Sequence, residues 1–258
     1  MNTETITSRD NTQIKHLKKL KLKKYRKEYN EFFIENLVII SDALEYGVKP
    51  KALFVSTDLL KKHQEEFDVL LEKTGLETYT EINASVNSAF SNLKTPSGIC
   101  AIYNLPNNDQ EIDTTNTVIY LNDINNPGNL GTILRSALAF GLKNIVIDEK
   151  CADLYNPKTI NAGKEAIFKL NIIKDNNLEK LKEIKKSLPI VSSRLEDSKG
   201  VDILKSKICL VIGNESRGVD KEIQDLSDDF VKIEMTDNIE SLNVSAAAAI
   251  LFYNLFKS

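Results

Sequence analysis

Seven side chains able to hold or polarise a substrate are Asn129, Arg135, Asn214, Glu215, Arg217, Ser241 and Asn243, gathered in or beside residues 122–131, 213–218 and 236–243. They comprise two guanidinium groups, three amides, one carboxylate and one hydroxyl. No acid pair, activated serine or cysteine, or metal-ligand cluster accompanies them. Such a set orients a reactant and stabilises developing charge, without an evident covalent or metal role. His16 and His63, the only histidines, fall in the N-terminal third, so histidine acid/base chemistry is not expected at these loops. Cys100, Cys151 and Cys209 are odd in number and far apart, which suggests neither a disulfide framework nor a metal site.

Each loop follows an apolar run with the character of a buried strand. Residues 117–121 lead into NDINNPG, where Pro127-Gly128 suits a type II turn and Asn129 a helix N-cap. From Leu130, apolar residues Ile133, Leu134, Ala137, Leu138 and Phe140 recur at helical spacing up to Gly141, which places Arg135 within this helix. Residues 145–147 close a strand–loop–helix–strand unit, and in open parallel sheets ligands lie at the carboxyl ends of strands. The other loops follow strands expected at 208–212 and 230–235, with helices at 219–226 and 244–256. Between these, a helix is expected at 156–166, a strand at 170–173, a helix at 178–187 and a strand at 189–192. If the strands run parallel, the three loops share one sheet edge.

The first part of the chain alternates in the same manner. Residues 8–27 read as one amphipathic basic helix, with Ile14, Leu17 and Leu20 on its apolar face. An apolar segment at 31–40 follows, then a helix from Ser41 ended by Gly47 and Pro50, a strand at 52–55, a helix at 58–74, and strands at 76–79 and 99–103. The polar tract NLPNNDQEIDTTN suggests a boundary, with domains at 1–105 and 116–258 and a linker at 106–115. The fold class is α/β, a mostly parallel sheet covered on both faces, preceded by a smaller α/β domain.

The chain has 258 residues, 41% hydrophobic and 28% charged, as in an ordinary globular protein. No apolar run is long enough to span a bilayer and the N-terminus lacks a signal-peptide core, so a cytoplasmic place and no membrane partner are expected. Residues 1–27 hold nine basic and two acidic side chains, net +7, while the whole chain carries −3. Such asymmetry fits a polyanion partner, with Lys15, Lys18, Lys19, Lys23 and Lys24 as its candidate contacts, although a merely solvated helix face has the same pattern. No G-x-G-x-x-G follows a strand, which disfavours a nicotinamide-dependent oxidoreductase.

The segments NPGNLGTILRSALAFG, LVIGNESRG and IEMTDNIESLNVSAAAAILFY, in that order and spacing, resemble the three motifs of the SpoU, or TrmH-type, RNA ribose 2′-O-methyltransferases. SRDNTQIKHLKKL, EFFIEN and TPSGICAIYN likewise resemble the ribosomal-protein-L30e-like substrate-binding domain of the ribosomal RNA branch. The resemblance implies a C-terminal domain with a deep trefoil knot, a homodimer, S-adenosylmethionine as cofactor, no metal, and 2′-O-methylation of RNA, above all 23S ribosomal RNA. Transfer RNA, or RNA binding without catalysis, are the alternatives. It assigns cofactor contacts to Gly213, Ile233, Met235 and Leu242, and catalytic roles to Asn129, Arg135, Glu215, Ser241 and Asn243. Each role has a plainer rival: Asn129 as a cap, Arg135 as a surface arginine, Glu215 as a partner of an arginine, Gly213 as a turn residue, and Ser241 and Asn243 as the start of the last helix. The chain departs from the family pattern at Glu234 and Asp237, and at Gly163 and Glu165.

Overall fold

The computed structural model describes residues 4–106, 111–205, 207–236 and 238–257. It divides into two compact units, Met1–Asn107 with Tyr155–Asn161, and Asn108–Leu154 with Ala162–Ser258. In the first, chain order gives β1 (Glu4–Ile6), α1 (Thr12–Leu20), α2 (Lys23–Tyr29), β2 (Glu31–Ile34), α3 (Leu37–Glu45), β3 (Ala52–Ser56), α4 (Thr57–Thr74), β4 (Thr80–Ile82), α5 (Ala84–Phe90) and β5 (Ile99–Asn104). Its sheet runs β1-β4-β3-β5-β2. The first three of these strands are mutually parallel, whereas β5 is antiparallel to both neighbours, so this sheet is mixed.

The basic segment forms two helices instead of the single one expected. Leu22 is extended between them, and the buried Arg26 donates from one guanidinium nitrogen to the carbonyls of Leu20 (2.7 Å) and Lys21 (2.8 Å). Those carbonyls are left unpaired where α1 ends, so Arg26 both caps α1 and fixes the direction of α2. Ile14, Leu17 and Leu20 are fully buried against Phe33, Phe54, Val86 and Phe90, as the spacing predicts. α3 begins at Leu37, not Ser41, because the Asn36 side chain accepts from the backbone N–H of Val38 (2.9 Å) and Ile39 (3.3 Å). β4 lies at 80–82, later than the expected 76–79, and α5 follows it, capped by Asn83.

The chain continues with β6 (Val118–Leu121), α6 (Pro127–Ala139), β7 (Asn144–Ile147), α7 (Pro157–Gly163), α8 (Ala166–Lys169), β8 (Asn171–Lys174), α9 (Glu179–Ile184), β9 (Ile190–Ser193), β10 (Cys209–Ile212), α10 (Lys221–Leu226), β11 (Asp229–Val231) and α11 (Val244–Lys257), all in the second unit except the first five residues of α7. Six strands in the order β11-β9-β10-β6-β7-β8 are all parallel. Every residue of β6, β7 and β10 is buried, as expected when helices cover both faces. One face packs Val118, Tyr120, Val146 and Val211 against Leu181 and Ile184 of α9 and Ile223 of α10. Leu130, Ile133, Leu134 and Ala137 of α6 are buried as well, and α11 packs along α6. Each Leu, Ile or Val among them contributes roughly 1.5–3 kcal/mol by leaving water. The helix expected over 156–166 is broken in two, since Lys164 adopts a left-handed φ of 53°.

Tyr120 and Asp175 place a polar link inside this core. The Tyr120 hydroxyl donates to Asp175 (3.0 Å), which also accepts from the backbone N–H of Lys180 (2.9 Å) and Leu181 (3.1 Å) and so starts α9. Burial pushes the Tyr120 phenol well above its usual pKa, so it stays a donor. Tyr120→Phe should cost about 1 kcal/mol, and Asp175→Ala, which strands three donors, on the order of 3 kcal/mol, both read by urea unfolding. Equal costs for the two variants would show that Asp175 does not organise α9.

Candidate functional site

The carboxyl ends of β6, β9 and β10 lie side by side, because these strands are parallel neighbours in register. The loop after β6 and the loop after β10 are joined chiefly by asparagine. Asn122, fully buried, donates to Asp148 (2.8 Å) and Asp220 (2.8 Å) and accepts from the Asp220 N–H (2.8 Å). Asn214 donates to the Asp123 carbonyl (3.0 Å) and accepts from the N–H groups of Ser216 (2.9 Å) and Arg217 (3.1 Å). Arg217 pairs with Asp123, whose backbone has a left-handed φ of 55°. Burial pushes the Asp123 carboxyl up and Arg217 only partly offsets it, whereas the Lys150 and Asn122 hydrogen bonds hold Asp220 below the usual carboxylate range.

Gly213 lies where the loop after β10 folds back on itself. A Cβ there would stand 2.4 Å from the carbonyl carbon of Gly218 and from the nitrogen of Val219, so only glycine fits. Beside it opens a cavity of about 520 Å³. Gly213, Ile233, Met235 and Leu242, the four expected cofactor contacts, all line it. Glu215 and Ser241 line it too. A wall that sequence reasoning missed is 193–197, the loop after β9, which adds Arg194, Leu195, Glu196 and Asp197. The signal was available, since this loop also follows the carboxyl end of an expected strand.

Asn129, Arg135 and Asn243 do not line the cavity. Asn129 does not cap α6: Asn126 does, accepting from the N–H of Gly128 (2.8 Å) and Asn129 (3.3 Å), while Pro127 opens the helix instead of a type II turn. Freed from capping, the Asn129 amide donates to Glu215, and its oxygen accepts from the Asn243 amide (3.3 Å). One polar chain thus joins all three loops. Asn243 also accepts from the backbone N–H (2.9 Å) and hydroxyl (2.6 Å) of Ser245, so it starts α11 as well. Arg135 is exposed on α6 and has no hydrogen bond or ion pair among the described residues. β11 ends at Val231, earlier than the expected 230–235, leaving Ile233 and Met235 in irregular backbone on the cavity wall.

Among the departures from the family pattern, Glu234 is exposed beside Gly200, and Asp237 lies outside the described residues. Gly163 lies against Gly131 of α6, where an added Cβ would meet the Gly131 carbonyl at 3.4 Å. Glu165 precedes α8 without capping it. In the first unit, Lys15 faces Asp10 (3.5 Å), Lys18 donates to the Arg9 carbonyl (3.2 Å), and Lys19 donates to the Tyr29 hydroxyl (3.2 Å). Lys23 and Lys24 are exposed on α2. His16 hydrogen-bonds Glu31 (2.6 Å), which Lys51 also pairs.

Residues 116–253 match the SpoU rRNA Methylase family. The chain belongs to that family. Residues 11–101 match the MRM3-like substrate binding domain. The 23S rRNA (guanosine(2553)-2′-O)-methyltransferase RlmP of Bacillus subtilis is 30% identical over 97% of this chain and 98% of its own. A crystal structure of an RNA 2′-O ribose methyltransferase superposes with a TM-score of 0.83 at 26% identity, covering 97% of each chain. The AdoMet-bound rRNA methyltransferase from Sinorhizobium meliloti gives 0.84 at 26%, covering 98% of this chain and 97% of that one. The SpoU family carries its fold over to this chain, a mixed α/β structure with an all-parallel sheet in the second unit. Among the described residues, no helix is long and apolar enough to cross a membrane.

Gly213→Ala tests the close approach at the cavity. The variant should lose at least 2 kcal/mol of stability or open the 213–219 turn, because the atoms it meets are backbone and cannot rotate away. A crystal structure of a fully stable variant with the turn unmoved would refute this account.

Proposed function

We propose that the protein transfers a methyl group from S-adenosylmethionine to a ribose 2′-hydroxyl of 23S ribosomal RNA, in the cytoplasm and as a homodimer. The observation that carries the reading is the cavity beside Gly213, lined by the residues of two motifs and joined to the third by Asn129. Its volume suits a cofactor-sized ligand. Ile233, Met235 and Leu242 offer apolar walls for a purine, and Glu196 and Asp197 offer carboxylates to a cationic sulfonium. S-adenosylmethionine supplies a methyl group already activated by positive sulfur.

The chain's own residues then have to hold the ribose and stabilise the oxygen as it loses its proton. A guanidinium stays protonated at ordinary pH, so Arg135 is no general base. Its donors face solvent without partners among the described residues, which suits a clamp on the target phosphate and a stabiliser of the developing 2′-alkoxide. Ser241, exposed at the cavity rim, is assigned to orient the hydroxyl. Asn129, Glu215 and Asn243 are engaged with one another and act by fixing where the loops meet. The boundary between the family matches, after residue 101 and before 116, supports an RNA-binding part at 1–105 and a catalytic part at 116–258.

The decisive experiment treats ribosomal RNA from a strain lacking the protein with labelled S-adenosylmethionine and maps positions that become resistant to alkaline cleavage. One new resistant position in 23S RNA is expected; no transfer to any RNA would overturn the reading. Arg135→Ala should lower turnover at least about 100-fold while cofactor affinity, read by calorimetry, changes less than about threefold. Loss of cofactor binding by a folded variant would instead make Arg135 part of the cavity.

The homodimer rests on an unpartnered aromatic face. Phe140 of α6 touches Tyr253 (5.9 Å) and Phe256 (6.0 Å) of α11, and Phe256 is 64% exposed. A second copy covers this face, on the same helix that carries Arg135. Light scattering should report a dimer that Phe256→Glu weakens at least tenfold; a monomeric native protein at micromolar concentration would rule it out.

A further inference from the structure

The basic segment holds two features that lysine count alone does not explain. Tyr25 and Tyr29, one helical turn apart on α2, have ring planes within 13° and centroids 6.0 Å apart. Both are only partly buried. Lys19 Nζ stands 5.4 Å and 5.8 Å from their centroids, and Lys24 Nζ lies 5.6 Å from Tyr25. The His16 ring packs 4.7 Å from Tyr29 and is itself held by Glu31. These cations lie within the range at which a ring face attracts them. Glu28 is the one acidic side chain on α2 against four basic ones.

We propose that Tyr25 and Tyr29 form a stacking platform for an unpaired RNA base, with Lys19 and Lys24 holding the adjoining phosphates. The proposal rests on the RNA-methyltransferase reading and deepens it. An aromatic face set among lysines binds single-stranded nucleic acid by stacking on bases and neutralising backbone. A duplex hides its base faces, so the site takes a loop, bulge or strand end. The platform is preorganised: buried Arg26 locks α2 to the carbonyls of Leu20 and Lys21, so neither ring has to be recruited by folding on binding. Leu22, three residues before Tyr25, is itself 59% exposed.

Stacking and charge neutralisation differ in what they respond to. Stacking needs a base and ignores salt, whereas phosphate contacts need no base and set the salt slope. Full-length protein should be titrated by fluorescence anisotropy with a single-stranded RNA decamer, its abasic counterpart and a duplex, across a salt series. Tyr25→Leu/Tyr29→Leu should weaken binding to the base-bearing strand on the order of tenfold or more, leave the abasic strand unaffected and keep the salt slope. The chain contains no tryptophan, so Tyr25→Trp adds a single reporter at the site. Its emission should be quenched by the base-bearing strand and not by the abasic one. If the double variant fails to fold, that quenching alone decides. Equal losses on both strands, no loss, or emission that ignores the bases would show the rings only brace the lysines and would overturn the proposal. These readouts need no methyl transfer: an enzyme that methylates ribosomal RNA with an indifferent tyrosine pair refutes the platform alone, and base-dependent binding without methylation refutes the enzymatic reading alone.

Discussion

The approach of the 213–219 loop to the first two residues beyond β6 sets the rest of the site. Gly213 touches the peptide between Gly218 and Val219 so closely that no side chain fits between them. Asn122 sits at the base of this loop with both its amide hydrogens donated and its oxygen accepting once. Asp148 beneath it accepts from the N–H groups of Asp123 (3.0 Å), Lys150 (3.1 Å) and Cys151 (2.9 Å). A buried polar network of this kind rigidifies when its members are satisfied, and a rigid floor is what a cavity needs to hold a reactive ligand in one pose. The Arg217–Asp123 pair contributes less. Arg217 is 68% exposed, and Asp123 remains harder to ionise than usual despite its partner, so burial outweighs the ion pair. The pair is better described as aiming the 213–218 loop than as stabilising the fold.

The polar chain through Asn129 changes how the site's residues divide their work. By residue type, all seven side chains singled out from sequence could have met a substrate. Packing commits Asn214 and Arg217 to Asp123, and Asn129, Glu215 and Asn243 to one another. That leaves Arg135 and Ser241 as the polar groups still open to a substrate. An amide with both ends bonded cannot also orient a hydroxyl without giving up a partner, and that exchange is costly where water cannot replace it. On the proposed reading, charge stabilisation falls on Arg135, a group held by its helix and not by a hydrogen-bond network.

Much of this was legible in the sequence. Strands 117–121, 145–147 and 208–212 were visible because runs buried on both faces have no polar interruption. The α1 face at Ile14, Leu17 and Leu20 was visible because its period is helical. What misled was chemistry that several residues could supply equally well. Asn125, Asn126 and Asn129 all precede or enter α6 and any could cap it; Pro127 decides, since it fixes the dihedral angle of the first helical residue and so makes Asn126 the cap. The apolar segment 31–40 gave no sign that a helix starts inside it, at Leu37 behind the Asn36 cap. The break after α2's neighbour α1 depends on a buried arginine five residues further on, and nothing in hydrophobic periodicity predicts that Arg26 turns inward.

Convergence of the three motif loops was the least local property of all. β10 lies beside β6, although 87 positions separate Leu121 from Ile208, and β9 lies on its far side. Pairing over such separations leaves no trace in propensity or period, because it is fixed by which strand edge remains open after β7 and β8 extend the sheet the other way. Spacing between motifs therefore carries information that the motifs taken singly lack. A chain that keeps Gly213, Asn122 and Asn129 at these separations is constrained to return β10 to the central edge, since only there can Asn122 reach Asp220 and Asn129 reach Glu215. The fourth wall, 193–197, follows from the same order: once β9 flanks β10, its carboxyl end must open onto the cavity, even though its own residues look like an ordinary surface turn.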